Sequence, residues 1–195
     1  MTSTQRDAIA SPATGLTIYN STINAFQCYN GTAWYSTVHY VGESYGGGIV
    51  FFVYDNGQHG LIAATADQSS GIAWQNGVAR YTGASADGVG AGKINTAIAI
   101  TIQMPDNNFG NFAAKVCSDY SVTSGGVKYG DWYLPSNYEL NLLYLQRTTV
   151  GGFTTNRYWS STEFDDLSYR IDFSNGNSSL SGRTNTFNVR AIRSF

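Results

Sequence analysis

Residues 130–146, GDWYLPSNYELNLLYLQ, contain the clearest structural signal in this chain. The apolar letters WYL are typical of a short strand, and Pro135 ends it because proline cannot donate to a strand ladder. Ser136 and Glu139 then have the spacing of a capping box, in which each side chain binds a backbone N–H at the start of a helix. Four leucines follow within six positions, so the sequence predicts a helix over 136–146.

Two further helices are predicted upstream of this segment. Ile94–Met104 is mainly apolar, is rich in good helix formers and is followed by a proline. Apolar residues recur every four positions within 109–120, which places them on one helical face: Phe112, Val116 and Tyr120. Together with 136–146, these segments predict two or three helices in the middle of the chain.

The regions on either side of the helices have the patterns of strands. The continuous apolar run 49–54 predicts a buried strand, and 61–64 returns as its partner after an Asp-Asn-Gly turn. In the last 43 residues no helical pattern is convincing, and 169–173 alternates between apolar and charged residues, with the period of a half-buried strand. Strands, then helices, then strands predict an α+β fold with antiparallel sheets.

Residues 1–44 predict a separate attachment segment ahead of a main domain at 45–195. Short β-prone runs are broken by polar turn residues, which predicts small hairpins turning around 20–22 and 30–31. A hairpin pair of this size is barely stable alone. The segment must therefore pack on the main domain or on other copies of itself, and a homotrimer through it is an open alternative.

Composition excludes several classes of protein. The 195 residues are 42% hydrophobic and 14% aromatic, which disordered chains are not, and they carry a net charge of −2, which removes the basic footprint of a nucleic-acid partner. Only 12% of residues are charged, and Tyr, Gly, Ser and Asn are abundant, as is common in extracellular β-rich binding proteins. No apolar run is long enough for membrane insertion.

Catalytic and metal-binding motifs are missing, so we expect no enzyme, no cofactor and no metal. The two histidines, His39 and His59, lack a second ligand at metal-binding spacing. The glycine-rich stretches lack residues that a phosphate-binding loop requires, and the sequence contains no nucleophile-elbow motif that would indicate a hydrolase. The acidic group Glu163, Asp165 and Asp166 has the chemistry for calcium, although a solvated acidic loop is favoured.

The two cysteines leave a second question open. Cys28 and Cys117 lie 89 positions apart, and together they allow at most one disulfide within the chain. Spacing alone does not say whether two thiols meet in space, because a bridge requires close approach of the two backbones. A bridge and two free thiols are therefore both kept as alternatives.

An ordered set of strings spanning about 150 residues resembles a known family. The strings are GGGIVFFVYDNGQHGLIAA, AAKVCSDY, GDWYLPSNYELNLLYLQ, GGFTTNRYWSSTE and NVRAIRSF. They resemble the C-type-lectin-like domains at the C-terminus of bacterial collagen-like adhesins and of bacterial and phage surface proteins. The resemblance implies a C-type lectin fold whose chain ends lie together, with helices flanking the sheets and a loop-rich face that binds a ligand. It also implies a virion tail fibre or a bacterial cell surface as the location.

Some members of this fold are variable proteins of diversity-generating retroelements, in which adenines of a C-terminal repeat are randomised. The frame formed by 158–163 and 189–195 is similar to such repeats. The 25 residues between them contain no Lys, Glu, Gln, Trp or Met, the types that randomised codons ending in a pyrimidine cannot encode. Elsewhere the chain has 19 such residues in 170 positions, so chance would give this absence about one time in twenty.

The resemblance and the strand pattern together predict an exposed variable face that binds a cell-surface protein or glycan. Its composition suits a binding surface, because Tyr gives a large contact area while Ser, Gly and Asn give adaptable hydrogen bonds. The predicted residues are Phe164, Asp165, Asp166, Leu167, Tyr169, Arg170, Asp172, Leu180, Arg183 and Phe187. Conversely, five residues should pack inward: Trp159, Phe173, Val189, Ile192 and Phe195; Trp132 should also be buried.

Two alternatives from other functional classes remain at this point. A fixed-specificity adhesin of the same fold would bind a polysaccharide or glycosaminoglycan, and a structural domain would only trimerise a fibre. The net charge of −2 argues mildly against binding of a polyanion.

Overall fold

The computed structural model describes residues 1–36 and 38–195, which form five α-helices, two short 3-10 helices (Asp55–Gly57 and Met104–Asp106) and fourteen strands. The helices are α1 (Ser3–Asp7), α2 (Ala91–Gln103), α3 (Ala113–Ser118), α4 (Asn137–Leu145) and α5 (Arg147–Val150). The first strands are β1 (Thr17–Asn20), β2 (Ala25–Tyr29), β3 (Trp34–Ser36), β4 (Ser44–Tyr45), β5 (Gly48–Tyr54), β6 (His59–Ala63) and β7 (Ser69–Ala73). The others are β8 (Val122–Ser124), β9 (Val127–Tyr129), β10 (Arg157–Phe164), β11 (Leu167–Asp172), β12 (Ser178–Gly182), β13 (Thr186–Val189) and β14 (Ile192–Ser194).

The strands form four sheets, which confirms the predicted α+β class. Their orders are β1-β2-β3, β14-β6-β5-β4, β12-β11-β10-β13-β7 and β8-β9. Neighbouring strands are antiparallel, as expected, with one exception: β10 and β13 are parallel where Tyr158 pairs with Asn188. The exception arises because β13 reaches the sheet between β10 and β7, and does not continue the hairpin order of β10, β11 and β12.

The capping box at α4 forms as predicted and also ties two helices together. Ser136 Oγ accepts the Glu139 N–H at 3.2 Å, and a Glu139 carboxylate oxygen accepts the Ser136 N–H at 2.8 Å. The same buried carboxylate accepts the N–H of Gly90 at 2.7 Å and of Gly92 at 3.2 Å, at the start of α2. A side chain at Gly92 would collide with Glu139, so glycine is required there. One short motif in the sequence therefore positions both long helices.

The C-terminal strand lies inside the fold and joins its parts. β14 pairs with β6, and Ile192 exchanges two backbone hydrogen bonds with Tyr133 at 2.8 and 3.0 Å. This bridge confirms a short extended segment just before Pro135. Phe195 and Gly60 also exchange backbone hydrogen bonds, and a Cβ at Gly60 would lie 2.6 Å from the Phe195 ring. The first and last strands of 45–195 thus belong to one sheet.

Two apolar cores separate the layers. One packs α2 and α3 against the five-stranded sheet around Trp74, Trp132 and Trp159, and the other packs α4 between the two larger sheets. Trp132, Trp159, Phe173, Val189 and Ile192 are buried as predicted. Phe195 is only partly buried, contrary to the prediction, because it lies beyond the end of β14. Its ring packs against those of His39 and Tyr45.

The N-terminal hairpins form as predicted, with turns at 21–24 and 30–33. Helix α1 was not predicted; it begins with its own capping box, made by Thr2 and Gln5. The helix covers one face of the small sheet, where Arg6 donates to the Gln27 side chain at 2.8 Å. The division between 1–44 and 45–195 stays a prediction.

Both cysteines are free thiols, so of the two alternatives, a disulfide bridge or two free thiols, the second is found. Cys28 is half-buried in the N-terminal sheet, whereas Cys117 is completely buried among the apolar side chains around α3. Burial raises the pKa of the Cys117 thiol far above its ordinary value, because the thiolate would lose its hydration. Cys117 is therefore a packing residue.

The first prediction concerns Glu139. Glu139→Gln replaces an acceptor oxygen with an NH₂ group that faces backbone N–H donors, and an unsatisfied buried group costs about 1–3 kcal/mol. We expect the free energy of unfolding to fall by roughly that amount in urea titrations. Tyr138→Phe, on the exposed side of α4, is the control and should leave the midpoint unchanged. An unchanged midpoint for Glu139→Gln would contradict the structural role of the carboxylate.

Candidate ligand-binding face

The β10–β11 hairpin forms the centre of the predicted variable segment. Phe164 pairs with Leu167 across a two-residue turn, and Asp165 adopts a left-handed conformation (φ 54°), which Asp tolerates better than most residues. Phe164, Asp165 and Asp166 are exposed at this turn, which we call the tip. These three predicted residues therefore occupy an accessible position.

Strand register places four further residues on what we call the outer face: Arg157, Arg170, Asp172 and Phe187. Trp159 lies on the same side of the sheet but is completely buried. Directly paired residues share a face, and consecutive residues alternate. Arg157 pairs with Asp172 and Trp159 pairs with Arg170, so all four side chains lie on one side of the hairpin. Phe187 joins them because its ring lies 4.5 Å from that of Trp159. Three of the ten predicted residues belong to this face.

Leu167, Tyr169 and Leu180 lie on the opposite side of the sheet, which packs against α4. Tyr169 pairs directly with Leu180, and both share their side with Ile171, which is completely buried in the α4 core. Ser178, on the same side, donates to the Asn137 side chain at 2.8 Å at the start of α4. The three residues are partly buried. The expectation of a single face is thus wrong, because neighbours in a strand point to opposite sides.

Arg183 is the predicted residue whose exposure the structure contradicts. It is 3% exposed, and its guanidinium lies 3.0 Å from the Glu163 carboxylate. It also donates to the backbone carbonyls of Arg80, Asp165 and Leu167. A cation held inside the protein needs such partners, because losing its hydration is costly. Arg183 supports the tip from beneath and does not belong to the contact surface.

The Glu163 side chain is also buried. Its carboxylate accepts the backbone N–H of Thr82 at 2.9 Å, the Thr82 hydroxyl at 3.0 Å and the N–H of Gly83. The calcium candidates therefore do not converge, since Asp165 and Asp166 are exposed at the tip while Glu163 points inward. Across the residues that the structure describes, no three His, Cys, Asp or Glu side chains are grouped for a metal ion.

A groove of about 390 Å³ runs along one end of the outer face. Arg157, Asp172 and Phe187 contribute side chains, and amide or hydroxyl groups supply the rest of the lining: Ser70, Thr155, Asn156, Thr186 and Asn188. The Arg157 guanidinium lies 3.4 Å from Asp172 and 5.8 Å from the centre of the Phe187 ring. The groove thus offers a cation, an anion, an aromatic ring and several neutral polar groups.

The charges of the outer face are arranged around Asp172. Two hydrogen bonds from Ser174 are the main cause that lowers the pKa of Asp172, and Arg157 adds to the effect. Arg170 lies 3.7 Å from the same carboxylate, and burial together with the nearby Arg157 lowers the pKa of its guanidinium. Arg170 Nε is buried without a hydrogen-bond partner in the described part of the chain. Asp172 therefore remains ionised between two arginines that share it.

Arg157 is a groove residue that the sequence did not reveal. From the two-residue turn alone, Arg157 would pair with position 174. A bulge adds two residues to β10 between Trp159 and Glu163, which moves Arg157 opposite Asp172. The bulge is held by contacts distant in sequence, such as the Ser161 N–H donating to the Pro135 carbonyl at 2.7 Å. No pattern in the local sequence indicates this change of register.

A second concave area lies beside the tip, with a volume of about 580 Å³. The exposed rings of Tyr81 and Phe164 form its apolar walls, and Ser85 and Asp165 add polar groups. Tyr81 comes from the loop that Glu163 holds in place through Thr82 and Gly83. The tip and this loop therefore form one accessible surface.

Comparison with known protein families gives a match to the N-terminal part of the chain. The model of a family described as a phage tail like trimerisation region matches residues 1–49, about a quarter of the sequence. No curated protein matches the chain. The family match fits the phage or surface-protein context that the resemblance implied. Within 1–36 and 38–195, no helix has the length and apolar character required to cross a bilayer.

The second prediction tests the support beneath the tip. Arg183→Met leaves the Glu163 carboxylate buried without its cation, and breaking a buried pair costs about 3–5 kcal/mol. Arg157→Met, an exposed arginine on the same sheet, should change the free energy of unfolding by only about 0.5 kcal/mol. Denaturant unfolding monitored by tryptophan fluorescence measures both. Equal effects of the two variants would show that Arg183 is not a structural residue.

Proposed function

We propose that this chain is a non-enzymatic receptor-binding or adhesive protein of a trimeric phage-tail-type fibre. Residues 1–44 assemble three copies, and 45–195 is a C-type-lectin-like domain whose outer face and tip contact a cell-surface protein or glycan. The observation that carries the proposal is the groove beside Arg157, Asp172 and Phe187, where charged, aromatic and neutral polar groups are accessible together. The match of 1–49 to a trimerisation region supports the assembly.

Several features support the C-type-lectin-like assignment. The first and last strands of 45–195 share the sheet β14-β6-β5-β4, as expected for a fold whose ends lie together. Helices α2 and α4 pack against the sheets, and the C-terminal segment builds the second large sheet. Binding sites are commonly carried by loops and sheet faces that a rigid scaffold positions, as the tip and outer face are here.

The same surface suits diversification by a retroelement. Phe164, Asp165 and Asp166 project from the tip, while Arg170, Asp172 and Phe187 project from a sheet that backbone hydrogen bonds hold together. The exposed tip positions accept many side chains, whereas a core position responds to a single methylene. Arg170 and Phe187 are partly buried, so fewer side chains fit there. Arg183 is excluded from the variable set by its buried ion pair.

The third prediction concerns the gene. If the segment is diversified, a near-copy of the last 40 codons lies beside a reverse-transcriptase gene. Adenines in that copy should coincide with the codons of the tip and of Arg170, Asp172 and Phe187, and should be absent at the Arg183 codon. Sequencing the genomic neighbourhood tests this. A neighbourhood without such a copy, or variation concentrated at Arg183, would leave a fixed-specificity adhesin as the function.

The fourth prediction tests binding. Arg157→Ala with Asp172→Ala removes both charges of the groove, and loss of a binding hot spot costs about 2 kcal/mol or more, roughly a thirtyfold loss of affinity. Glycan arrays and a panel of bacterial cells, probed with the labelled 195-residue chain, measure the signal. The control is Lys115→Ala with Asp119→Ala, which removes an ion pair on α3 and should bind like the parent. Parent-like binding by the groove variant would place the site elsewhere.

The same arrays distinguish calcium-dependent from calcium-independent binding. Glu163 is occupied by Thr82, Gly83 and Arg183, so the acidic tip offers too few convergent oxygens for the six to eight ligands calcium takes. We therefore expect binding to be unchanged by EDTA. A loss that added calcium restores would contradict this expectation.

A purely structural fibre domain is the second candidate, favoured by the match of residues 1–49 to a trimerisation region. It predicts a trimer that gives no signal on arrays or cells. A trimer that binds supports the receptor-binding function, and a monomer contradicts both candidates.

A further inference from the structure

The N-terminal sheet has one covered face and one open face. Asn20 and Gln27 point to the covered face, where their side chains bond each other at 2.8 Å beneath α1. The open face, defined by pairing register, carries five residues: Thr17, Tyr19, Phe26, Cys28 and Tyr35. Tyr19, Phe26 and Tyr35 are 44%, 57% and 47% exposed, so large aromatic surfaces face solvent in the single chain.

These aromatic side chains form a continuous surface. Tyr19 pairs directly with Phe26 across β1 and β2, with ring centres 5.3 Å apart in an edge-to-face arrangement. Cys28 pairs with both Thr17 and Tyr35 and connects the three strands on this side. Aromatic residues are enriched, and charged residues depleted, at the centres of protein interfaces. The open face has this composition.

The charge distribution is the second observation. No Asp, Glu, Lys or Arg occurs from Ala8 to Gly42, in a chain that is 12% charged overall. Both edge strands of the small sheet, β1 and β3, lie in this uncharged stretch. Monomeric proteins usually place charged residues on such edges, because charge prevents pairing with another chain. Identical side chains meet around a threefold axis, where any charge would face its own copies. An uncharged surface avoids that repulsion.

We infer that the open face of the N-terminal sheet is the contact between three copies of this chain, with Phe26 and its equivalents meeting around the threefold axis. The inference rests on the proposed trimer and on the family match to residues 1–49. It adds the choice of surface: the strand face carrying Tyr19, Phe26 and Tyr35 is interior to the assembly, and the face under α1 is not. The partner is a second and third copy of this chain.

The test introduces charge at the open face of the full chain. Phe26→Lys and, separately, Tyr35→Lys bring three like charges together at the axis, so light scattering should report the 21.1-kDa mass of one chain in place of three times that mass. Because both side chains are exposed in the single chain, cooperative thermal unfolding should persist. Phe109→Lys, the same substitution at a side chain that is 96% exposed on the main domain, is the matched control and should remain trimeric.

A mixing experiment tests the self-contact. Phe26→Lys and Phe26→Asp chains, each monomeric alone, are co-expressed with different tags; mixed trimers should form because opposite charges then meet. Persistence of the trimer in both Phe26→Lys and Tyr35→Lys would overturn the inference while leaving the trimer intact. If the two variants stay monomeric when they are co-expressed, the claim that the three Phe26 side chains meet at the axis would be wrong. A monomeric parent would instead refute the proposed trimer, and the inference with it.

Discussion

The buried ion pair between Glu163 and Arg183 holds together the segments that make the candidate ligand face. Glu163 belongs to β10 and receives hydrogen bonds from Thr82 and Gly83, while Arg183 follows β12 and donates to the carbonyls of Arg80 and Asp165. Removing two charges from water is costly, and these hydrogen bonds offset the cost only when every segment is in place. The tip and the loop around Tyr81 are therefore held in one arrangement. A ligand that bound there would not have to order the loops, which reduces the entropic cost of binding.

Two tryptophans brace the sheet from which the outer face projects. Trp74 donates its indole N–H to the Ser160 carbonyl at 2.8 Å, and Trp159 donates to the Ile72 carbonyl at 2.9 Å. Both rings are buried in one core, so β7 and β10 are tied by packing as well as by hydrogen bonds. Neither indole hydrogen bond involves Arg170 or Asp172, so both residues can change without breaking this brace.

The proposed assembly also bears on affinity. Three copies joined through residues 1–44 would present three ligand faces on one particle, and linked sites bind a repetitive surface far more strongly than one site does. A groove with modest affinity would then be sufficient for attachment. The two parts of the chain also differ in composition as these separate roles require: the N-terminal sheet is small and uncharged, whereas the groove is polar and charged.

Local signals in the sequence predicted much of the fold. The Ser136–Glu139 spacing located α4, turn residues located both N-terminal hairpins, and the alternation at 169–173 located β11, because each depends on interactions within a few residues. Helix α1 also has a local capping signal, made by Thr2 and Gln5. This helix was not predicted from the sequence, because the segment is polar and lacks an apolar face.

The composition of the candidate ligand face depended on contacts between distant segments. Arg183 and Arg170 are the same residue type, yet Arg183 is buried and Arg170 is partly accessible. Arg183 is buried because Glu163 and three backbone carbonyls from distant segments surround its guanidinium. Arg157 reaches the groove because a bulge shifts the register of β10, and that bulge is held by Pro135. Sequence by itself determined most of the strands, helices and turns, since those follow from local backbone preferences, but it did not yield α1 or the β8–β9 hairpin. The tertiary structure alone decided which side of each strand faces solvent and which charges are paired, because register and burial are set by packing across the whole chain.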